Sequence, residues 1–340
     1  MTHAAILGCA GQGLSREEQA FFRDVRPWGF ILFARNIDSP GQVRRLVDDL
    51  RATVDRPDAP VLIDQEGGRV QRLGPPHWRR YPPGRAYGEL PANDPLLQRE
   101  IVRLGARLLA HDLAELGINV DCVPVLDVPV DGAHDVIGDR AYARTPEGVA
   151  RLGRAACEGL IAGGVLPVVK HIPGHGRARA DSHLDLPVVE TPYEELDAWD
   201  FAPFKALSDM PMAMTAHVVY AAVDPRRPAT TSKTAMRKVI RQAIGFDGLV
   251  MSDDLSMKAL GGDFASRARA SLAAGCDVVL HCNGDLDEMQ AVIAGTRELS
   301  GPAARRAKAA LARLAKVPEP LDLEAARARF DAAFAGTWAP

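Results

Sequence analysis

The chain has 340 residues, of which 47% are hydrophobic and 25% charged, so it can bury a large core. Its 41 basic and 44 acidic side chains leave a formal net charge of −3, which gives no reason to expect nucleic acid or an anionic membrane as a partner. The 5 cysteines are scattered, odd in number and lack a Cys-x-x-Cys pair, which indicates reduced, buried thiols and excludes a disulfide framework or a zinc knuckle.

The N-terminus contains a segment, residues 6–9 (ILGC), that looks like a lipoprotein cleavage box. A signal peptide needs a basic start and roughly 7–15 apolar residues before its cleavage site. Only residues 1–5 precede the box, and none of them is Lys or Arg. Residues 4–7 are therefore interpreted as a first strand. No stretch approaches the ~18 uninterrupted apolar residues of a membrane span, so we expect a cytoplasmic protein without a membrane partner.

Short apolar runs recur along the chain, and each is followed by a polar loop and an amphipathic segment. The predicted strands cover residues 4–7, 29–33, 60–64, 119–125, 165–171, 212–217, 248–253 and 277–281. The predicted helices cover residues 15–25, 41–53, 95–116, 146–162, 193–208, 233–242, 264–274, 286–299, 303–314 and 323–333. Near-continuous Val, Ile and Leu runs are typical of parallel strands that are covered on both faces.

Eight alternations of strand and helix predict an α/β protein with a single closed (β/α)8 TIM barrel. A doubly wound open sheet is the structural alternative, but no Gly-x-Gly-x-x-Gly follows an early strand, which weakens a dinucleotide-binding interpretation. We expect residues 1–340 to form one domain. Its helical tail, from about residue 302 to 340, leaves no room for a second domain.

Charged or imidazole side chains stand at the ends of six of the eight predicted strands. They are Asp64, Asp127, Lys170 with His171, His217, Asp253 with Asp254, and His281. Because functional groups of barrel proteins gather where strands end, this pattern favours a site over simple solvation.

The densest stretch is residues 170–187 (KHIPGHGRARADSHLDLP). Gly174 and Gly176 permit backbone angles that other residues resist, which suggests a mobile lid or clamp after the strand. Further along, Asp181 stands two residues before His183. A carboxylate at that spacing can orient an imidazole and stabilise its charged form, as general acid–base catalysis requires, although Asp-x-His alone is common in loops.

The seventh predicted strand ends in Asp253 and Asp254. A carboxylate at the end of an apolar strand is costly unless it is used or paired. Alternation places the two side chains on opposite faces, so only one points naturally into the barrel mouth, and the period of 2 does not say which. The other would cap the turn through residues 255–257.

The third predicted strand leads into Asp64, Glu66 and Arg72. Asp64 can accept hydrogen bonds from sugar hydroxyls, and Arg72 can add a forked donor. Glu66 is a second candidate proton donor, ranked lower because nearby arginines lower a carboxyl pKa. Arg140, after the fourth strand, offers another guanidinium at the same rim.

The chain resembles glycoside hydrolase family 3, specifically the short bacterial β-N-acetylglucosaminidases of cell-wall recycling. The matching segments stand in family order and at family-like spacings: 63–73 (IDQEGGRVQRL), 137–142 (IGDRAY), 170–176 (KHIPGHG), 181–183 (DSH), 214–217 (MTAH) and 252–257 (SDDLSM). Ile172 stands where the family usually has Phe, a packing change outside the catalytic positions.

The resemblance implies a retaining β-N-acetylhexosaminidase that removes terminal non-reducing β-linked N-acetylglucosamine from muropeptides. It implies that Asp253 is the nucleophile, His183 the general acid–base and Asp181 its supporting partner. The residues implied as contacts to the sugar in the first subsite are Asp64, Arg72, Arg140, Lys170 and His171. We expect a monomer that needs no cofactor and no metal.

Several alternatives stay open. Substrate-assisted hydrolysis by the acetamido oxygen would rely on acidic neighbours, for which residues 64–66 are the nearest candidates. A β-glucosidase of the same family shares the fold, although a single domain and a histidine acid favour N-acetylglucosaminides. A non-catalytic sugar-binding protein is disfavoured, since binding needs neither dyad nor nucleophile.

A metal-dependent amidohydrolase is the rival from another class. Its zinc ligands would be drawn from His171, His175, His183, His217 and Asp253. Such sites usually open with His-x-His on the first strand, and this strand ends in Gly8 and Cys9 instead.

Overall fold

The structure, a computed structural model, describes residues 1–90, 94–178, 180–182, 185–314 and 317–338. Eight parallel strands form a closed barrel in which each strand pairs with the next along the chain and the last pairs with the first. The strands are β1 (His3–Leu7), β2 (Pro27–Leu32), β3 (Val61–Ile63), β4 (Val120–Asp121), β5 (Leu166–Ile172), β6 (Met212–Thr215), β7 (Leu249–Asp254) and β8 (Val278–His281). The predicted (β/α)8 barrel is confirmed.

Helices surround the barrel. They are α1 (Arg16–Val25), α2 (Pro40–Val54), α3 (Gly84–Gly88), α4 (Pro95–Ala114), α5 (Pro146–Ala162), α6 (Tyr193–Ala198), α7 (Ala202–Ala206), a π-helix (Ala235–Ala243), α8 (Phe264–Ala274), α9 (Leu286–Gly295), α10 (Gly301–Leu311) and α11 (Leu323–Phe334). None of the described helices is both long and apolar enough to cross a membrane.

Prolines explain the two largest differences from the predicted elements. The predicted strand 119–125 pairs in the barrel only over β4, because Pro124 has no N–H to continue the ladder. A single bridge between Val125 and Lys170 follows. The predicted helix 193–208 is divided into α6 and α7, and Pro203 stands in the first turn of α7, where the missing N–H is tolerated.

Local signals start the helices where the chain turns. Ser15 and Glu18 form a reciprocal capping box at α1: the Ser15 hydroxyl accepts from the Glu18 N–H at 3.0 Å, and Glu18 accepts from the Ser15 N–H at 2.9 Å. Glu18 also accepts from the N–H of Ala10 at 2.8 Å. The same carboxylate therefore caps α1 and holds the loop after β1.

The C-terminal helix packs on the outside of the barrel shell. Phe330 and Phe334 of α11 lie 6.1 and 5.2 Å, ring centre to ring centre, from Tyr87 of α3. Phe330 also lies 6.0 Å from the ring of Tyr81. Aromatic contacts of this kind add about 0.5–1.5 kcal/mol each to ordinary burial, so the tail is part of the packed structure.

Helices α4 and α5 approach so closely that α5 needs a glycine. A Cβ on Gly159 would lie 2.3 Å from the carbonyl oxygen of Arg103 and 2.8 Å from the Cβ of Ala106, both on α4. We expect Gly159→Ala to lower the free energy of unfolding by about 2 kcal/mol, because the helices must separate. Urea unfolding followed by circular dichroism measures this.

The matched control is Gly41→Ala in the first turn of α2, where a Cβ meets only the far end of the Arg45 side chain at 3.5 Å. Alanine there should leave the stability unchanged or raise it by up to about 1 kcal/mol. Equal stabilities of the two variants would contradict the close crossing of α4 and α5.

Candidate active site

A cavity of about 360 Å³ opens at the carboxyl ends of the barrel strands. Its wall is formed by β2 to β8 and the loops that follow them, and it includes Asp64, Arg72, Arg140, Lys170, His171 and Asp253. Six of the eight predicted site residues therefore line one cavity. Parallel strands bring their carboxyl ends to the same edge, which is why residues nearly 200 positions apart meet here.

The floor of this cavity is a buried ion-pair network centred on Lys170. Its ammonium lies 2.8 Å from Asp64 Oδ1 and 2.6 Å from Glu66 Oε1. Arg140 binds the other side of Glu66 through two parallel hydrogen bonds of 2.8 Å each. Lys170 is 2% exposed, so its charge would be very costly without these partners.

The ion-pair network keeps the carboxyl groups of Asp64 and Glu66 ionised. Burial by itself would raise the pKa of Glu66, but the charges of Arg140 and Lys170 outweigh it and hold the pKa well below its usual range. The pKa of Asp64 is lowered in the same way, because Lys170 and Arg72 overcome the effect of burial. A carboxylate this strongly paired cannot donate a proton near neutral pH, so Glu66 is unsuited to be the general acid.

A short hairpin after β3 presents Glu66 and Arg72. Strands Gln65–Gly67 and Val70–Gln71 pair antiparallel, with a turn in which Gly67 and Gly68 have φ of +92° and +57°. The Gln65 side chain accepts from the N–H of Arg72 at 2.9 Å and of Leu73 at 3.0 Å. The sequence analysis missed this hairpin, although a Gly-Gly pair between short strands is its ordinary signal.

Arg72 is held by three contacts. Its guanidinium donates to Asp64 Oδ2 at 3.2 Å and lies 5.1 Å from the centre of the Phe33 ring. Its backbone is fixed by Gln65. Phe33, which the sequence analysis did not single out, therefore supports a charged side chain from the neighbouring strand end by a cation–π contact.

Asp127 organises the start of the 170–182 segment. Its carboxylate lies 2.7 Å from His171 Nδ1 and accepts from the backbone N–H groups of His171 at 3.2 Å and His175 at 2.6 Å. With Nδ1 engaged, the His171 ring keeps a fixed orientation and Nε2 remains for a ligand. Asp127 was recognised as a polar strand end but not as this anchor.

Close packing accounts for the glycines of the 170–176 motif. Gly174 has φ of +137°, and a Cβ there would lie 2.9 Å from the Cβ of Asp200. A Cβ on Gly176 would lie 2.0 Å from the carbonyl oxygen of Val128. Both glycines allow the segment to lie directly against neighbouring backbone, and the expectation that they serve a mobile lid or clamp stays a prediction.

His175 fixes the far end of this segment. Its Nε2 is hydrogen-bonded with the Ser182 hydroxyl at 3.0 Å, and both residues line the cavity. Burial lowers the pKa of His175 to about 4, so the ring is neutral near pH 7. The carbonyl of Ser182 accepts from the N–H of Ala259 at 3.3 Å.

Of the predicted dyad, His183 lies outside the described residues. Asp181 is half-buried, and its carbonyl accepts from the N–H of Asp185 at 3.0 Å. Ser182, which stands between the two dyad positions in the sequence, is 3% exposed at the cavity wall. The described part of the segment thus reaches the cavity directly before His183.

The two aspartates at the end of β7 have different surroundings. Asp254 Oδ1 accepts from the N–H groups of Ser256 and Cys282, at 3.1 Å each, and its Oδ2 accepts from the Ser256 hydroxyl. Asp254 therefore caps the turn after the strand, one of the two roles that alternation left open. Asp253 lines the same cavity, half-buried, and its Oδ1 accepts from the N–H of Asp254 at 2.8 Å.

His217, at the end of β6, has both ring nitrogens engaged. Nδ1 is hydrogen-bonded with Thr230 at 2.7 Å and Nε2 with the carbonyl of Asp254 at 3.0 Å. These contacts occupy the lone pair that a zinc ion would need. Among the described residues, which do not include His183, no group of three or more His, Cys, Asp or Glu side chains is arranged to hold a metal ion.

Asp121 lies beneath the ion-pair network and was missed by the sequence analysis. It is fully buried, and its Oδ1 accepts from the N–H of Gln65 at 2.9 Å. Burial raises the pKa of Asp121 well above its ordinary value. In the sequence, Asp121 is distinguished only as an acidic residue inside an apolar run.

The amino-acid sequence is similar to those of known proteins. The family described as the glycosyl hydrolase family 3 N terminal domain matches residues 7–317. A beta-hexosaminidase from Methylococcus capsulatus is 42% identical over 277 residues, which cover 80% of each chain.

Solved structures of other proteins are also similar to this chain. NagZ from Neisseria gonorrhoeae in complex with N-trifluoroacetyl-D-glucosamine has a TM-score of 0.86 and 34% identity, covering 97% of both chains. A family 3 beta-N-acetylglucosaminidase from Paenibacillus sp. str. FPU-7 has a TM-score of 0.81 and 30% identity, covering 99% of this chain and 63% of that one. The chain therefore belongs to glycosyl hydrolase family 3, and it is a glycoside hydrolase of the type whose curated members are named beta-hexosaminidase.

Proposed function

We propose that the protein is a retaining β-N-acetylhexosaminidase that removes terminal non-reducing β-linked N-acetylglucosamine from muropeptides. The observation that carries the proposal is a contrast between two adjacent carboxylates that both line the cavity: both oxygens of Asp254 are bound into the turn after β7, and Asp253 shares the cavity wall with Asp64 and Lys170. This contrast favours Asp253 as the nucleophile.

The sugar-binding roles follow from the charges on the cavity floor. Asp64 is an ionised acceptor for sugar hydroxyls. Its two carboxylate oxygens also hold the donors Arg72 and Lys170 in place. Arg140 reaches the cavity while fixed to Glu66, and His171 while fixed to Asp127. These groups are preorganised, so binding a sugar costs little rearrangement.

In the first step, the Asp253 carboxylate attacks the anomeric carbon as the bond to the aglycone oxygen breaks. His183 gives its proton to that oxygen, and a covalent glycosyl-enzyme forms. In the second step, neutral His183 takes a proton from water, which attacks the same carbon and releases Asp253. Two inversions retain the β configuration. Asp181 holds the His183 ring in both steps.

The names of the relatives support the choice of sugar. The curated relative named above is a beta-hexosaminidase, and one solved neighbour was bound to N-trifluoroacetyl-D-glucosamine. The muropeptide aglycone rests on the resemblance to enzymes of cell-wall recycling. We propose that residues 1–340 form one catalytic domain that acts as a monomer in the cytoplasm.

Substrate-assisted hydrolysis is the mechanistic rival, and the charge network argues against it. That route needs a carboxylate to polarise the acetamido group of the substrate. Asp64 and Glu66, the acids nearest in the sequence, are both committed to Lys170, and Glu66 also to Arg140. Their ion pairs suit them to bind and orient the sugar.

The nucleophile is tested by chemical rescue. We expect Asp253→Ala to lower kcat at least about 10³-fold, and added azide to restore turnover with an α-glycosyl azide as product, because one displacement inverts the centre. His183→Ala with azide should yield the β-glycosyl azide. Nuclear magnetic resonance distinguishes the two products.

Asp254→Asn is the matched control for this experiment. It should lower the melting temperature, since it weakens the acceptors of Ser256 and Cys282, and azide should not restore its activity. Loss of activity in Asp254→Asn together with retained activity in Asp253→Ala would reverse the assignment.

The covalent intermediate is tested by trapping. A 5-fluoro-N-acetylglucosaminyl fluoride should label the protein, because the ring fluorine destabilises both oxocarbenium-like transition states and slows hydrolysis of the intermediate. Peptide mass spectrometry should place the added sugar on Asp253. Turnover without a labelled peptide would favour the acetamido route.

The substrate is tested with two aryl glycosides that differ only at C2. We expect kcat/KM for the aryl β-N-acetylglucosaminide to exceed that for the aryl β-glucoside by at least about 100-fold, because a site shaped for the acetamido group loses its contacts with a hydroxyl. Equal rates would indicate a β-glucosidase instead.

A further inference from the structure

A second cavity, of about 610 Å³, lies beside the first at the carboxyl end of the barrel. It is lined by five basic side chains: Arg226, Arg227, Lys233, Arg267 and Arg269. No Asp or Glu is among the described residues that line it. A protein with a net charge of −3 thus carries a concentrated positive site next to its active site.

Three different stretches of chain supply these cations. Arg226 and Arg227 lie in the loop after β6, Lys233 precedes the π-helix, and Arg267 and Arg269 lie on α8. Because all of these stretches meet at the rim of the barrel, Arg226 and Arg269 share one cavity although they are 43 positions apart in the sequence. We call this group the rim cations.

Arg267 is fixed without a carboxylate. It is half-buried, its Nε donates to the carbonyl of Gly262 at 3.0 Å, and its Nη1 donates to the carbonyl of Leu255 at 2.7 Å. Neutral carbonyls orient the guanidinium, whose charge also interacts electrostatically with the nearby Asp263. This side chain is therefore a preformed cation in the cavity wall.

The rim cations also lack ion-pair partners. Elsewhere on the barrel, Arg241 and Arg306 pair with Asp277. Within the described ranges, no carboxylate forms an ion pair with any rim cation; the nearby Asp224 and Asp263 accept from Ser232 and Ser266 instead.

The two cavities share a wall. Met257 lines the active-site cavity, and Ala259 and Leu260, two and three residues later, line the second one. The N–H of Ala259 donates to the carbonyl of Ser182, which also lines the active site. The loop after β7 therefore contributes residues to both cavities.

We propose that the rim cations bind carboxylates of the aglycone, and so select substrates whose leaving group carries an acidic peptide. This inference rests on the proposed function, because a muropeptide carries such carboxylates on its peptide while an aryl glycoside does not. Arginine suits the role because its planar fork matches a carboxylate. Four of the five cations are exposed, so the attraction is modest and screened by salt.

The test compares two substrates on one active site: a β-N-acetylglucosaminyl muropeptide with free carboxylates, and the same compound with its carboxylates amidated. For the wild-type protein at ~20 mM ionic strength, we expect kcat/KM to be higher for the free acid. In the variant Arg226→Gln/Arg227→Gln the ratio of the two values should fall about fivefold, mainly through KM. The ratio should also fall for the wild type at ~0.5 M salt.

The matched control is Arg305→Gln/Lys308→Gln on α10, which removes the same charge from exposed positions away from both cavities. This control should keep the wild-type ratio. A ratio that is unchanged in Arg226→Gln/Arg227→Gln, or that falls equally in both variants, would overturn the proposal.

A separate measurement distinguishes failure of this inference from failure of the proposed function. Hydrolysis of the uncharged aryl β-N-acetylglucosaminide tests the function alone. Calorimetry of the free-acid and amidated muropeptides with Asp253→Ala tests the rim cations without turnover. A Kd that is the same for both compounds would overturn the inference even if the aryl substrate is cleaved.

Discussion

The active site depends on one buried interaction, the ammonium of Lys170 shared between Asp64 and Glu66. A charge that is 2% exposed requires partners, and these two carboxylates lie 2.8 and 2.6 Å away. The network ties the end of β5 to the hairpin after β3, and Arg140 extends it to the loop after β4. Three strand ends are thus locked together by charge before any sugar binds, which preorganises the floor of the cavity.

The carboxyl groups around this floor differ in state because their surroundings differ. Glu66 is held ionised by two cations, burial raises the pKa of Asp121, and His171 and the backbone lower the pKa of Asp127 against the effect of burial. Asp254 closes a turn. The same functional group therefore binds, supports, anchors or caps, and the proposed nucleophile is the one whose environment suits attack on a sugar.

The segment after β5 is anchored at several points. Asp127 accepts from the backbone at residues 171 and 175, Arg177 Nε lies 2.8 Å from the buried Asp200, and His175 is bonded with Ser182. The proposed acid–base therefore follows a firmly attached stretch of chain. At its end, Ser182 accepts from the N–H of Ala259, which lines the cavity of the rim cations.

The sequence alone determined the barrel, because eight apolar runs with helices between them allow few other folds. From strand ends and family motifs it also identified six residues that line one cavity, because parallel strands bring their carboxyl ends to the same edge. Only the tertiary structure decided that Asp254 caps a turn, that Glu66 is ion-paired, and that Asp121 and Asp127 support the site. These outcomes depend on distances between distant strand ends. The rim cations were equally hidden, because three stretches of unremarkable basic residues become one site only when the barrel closes.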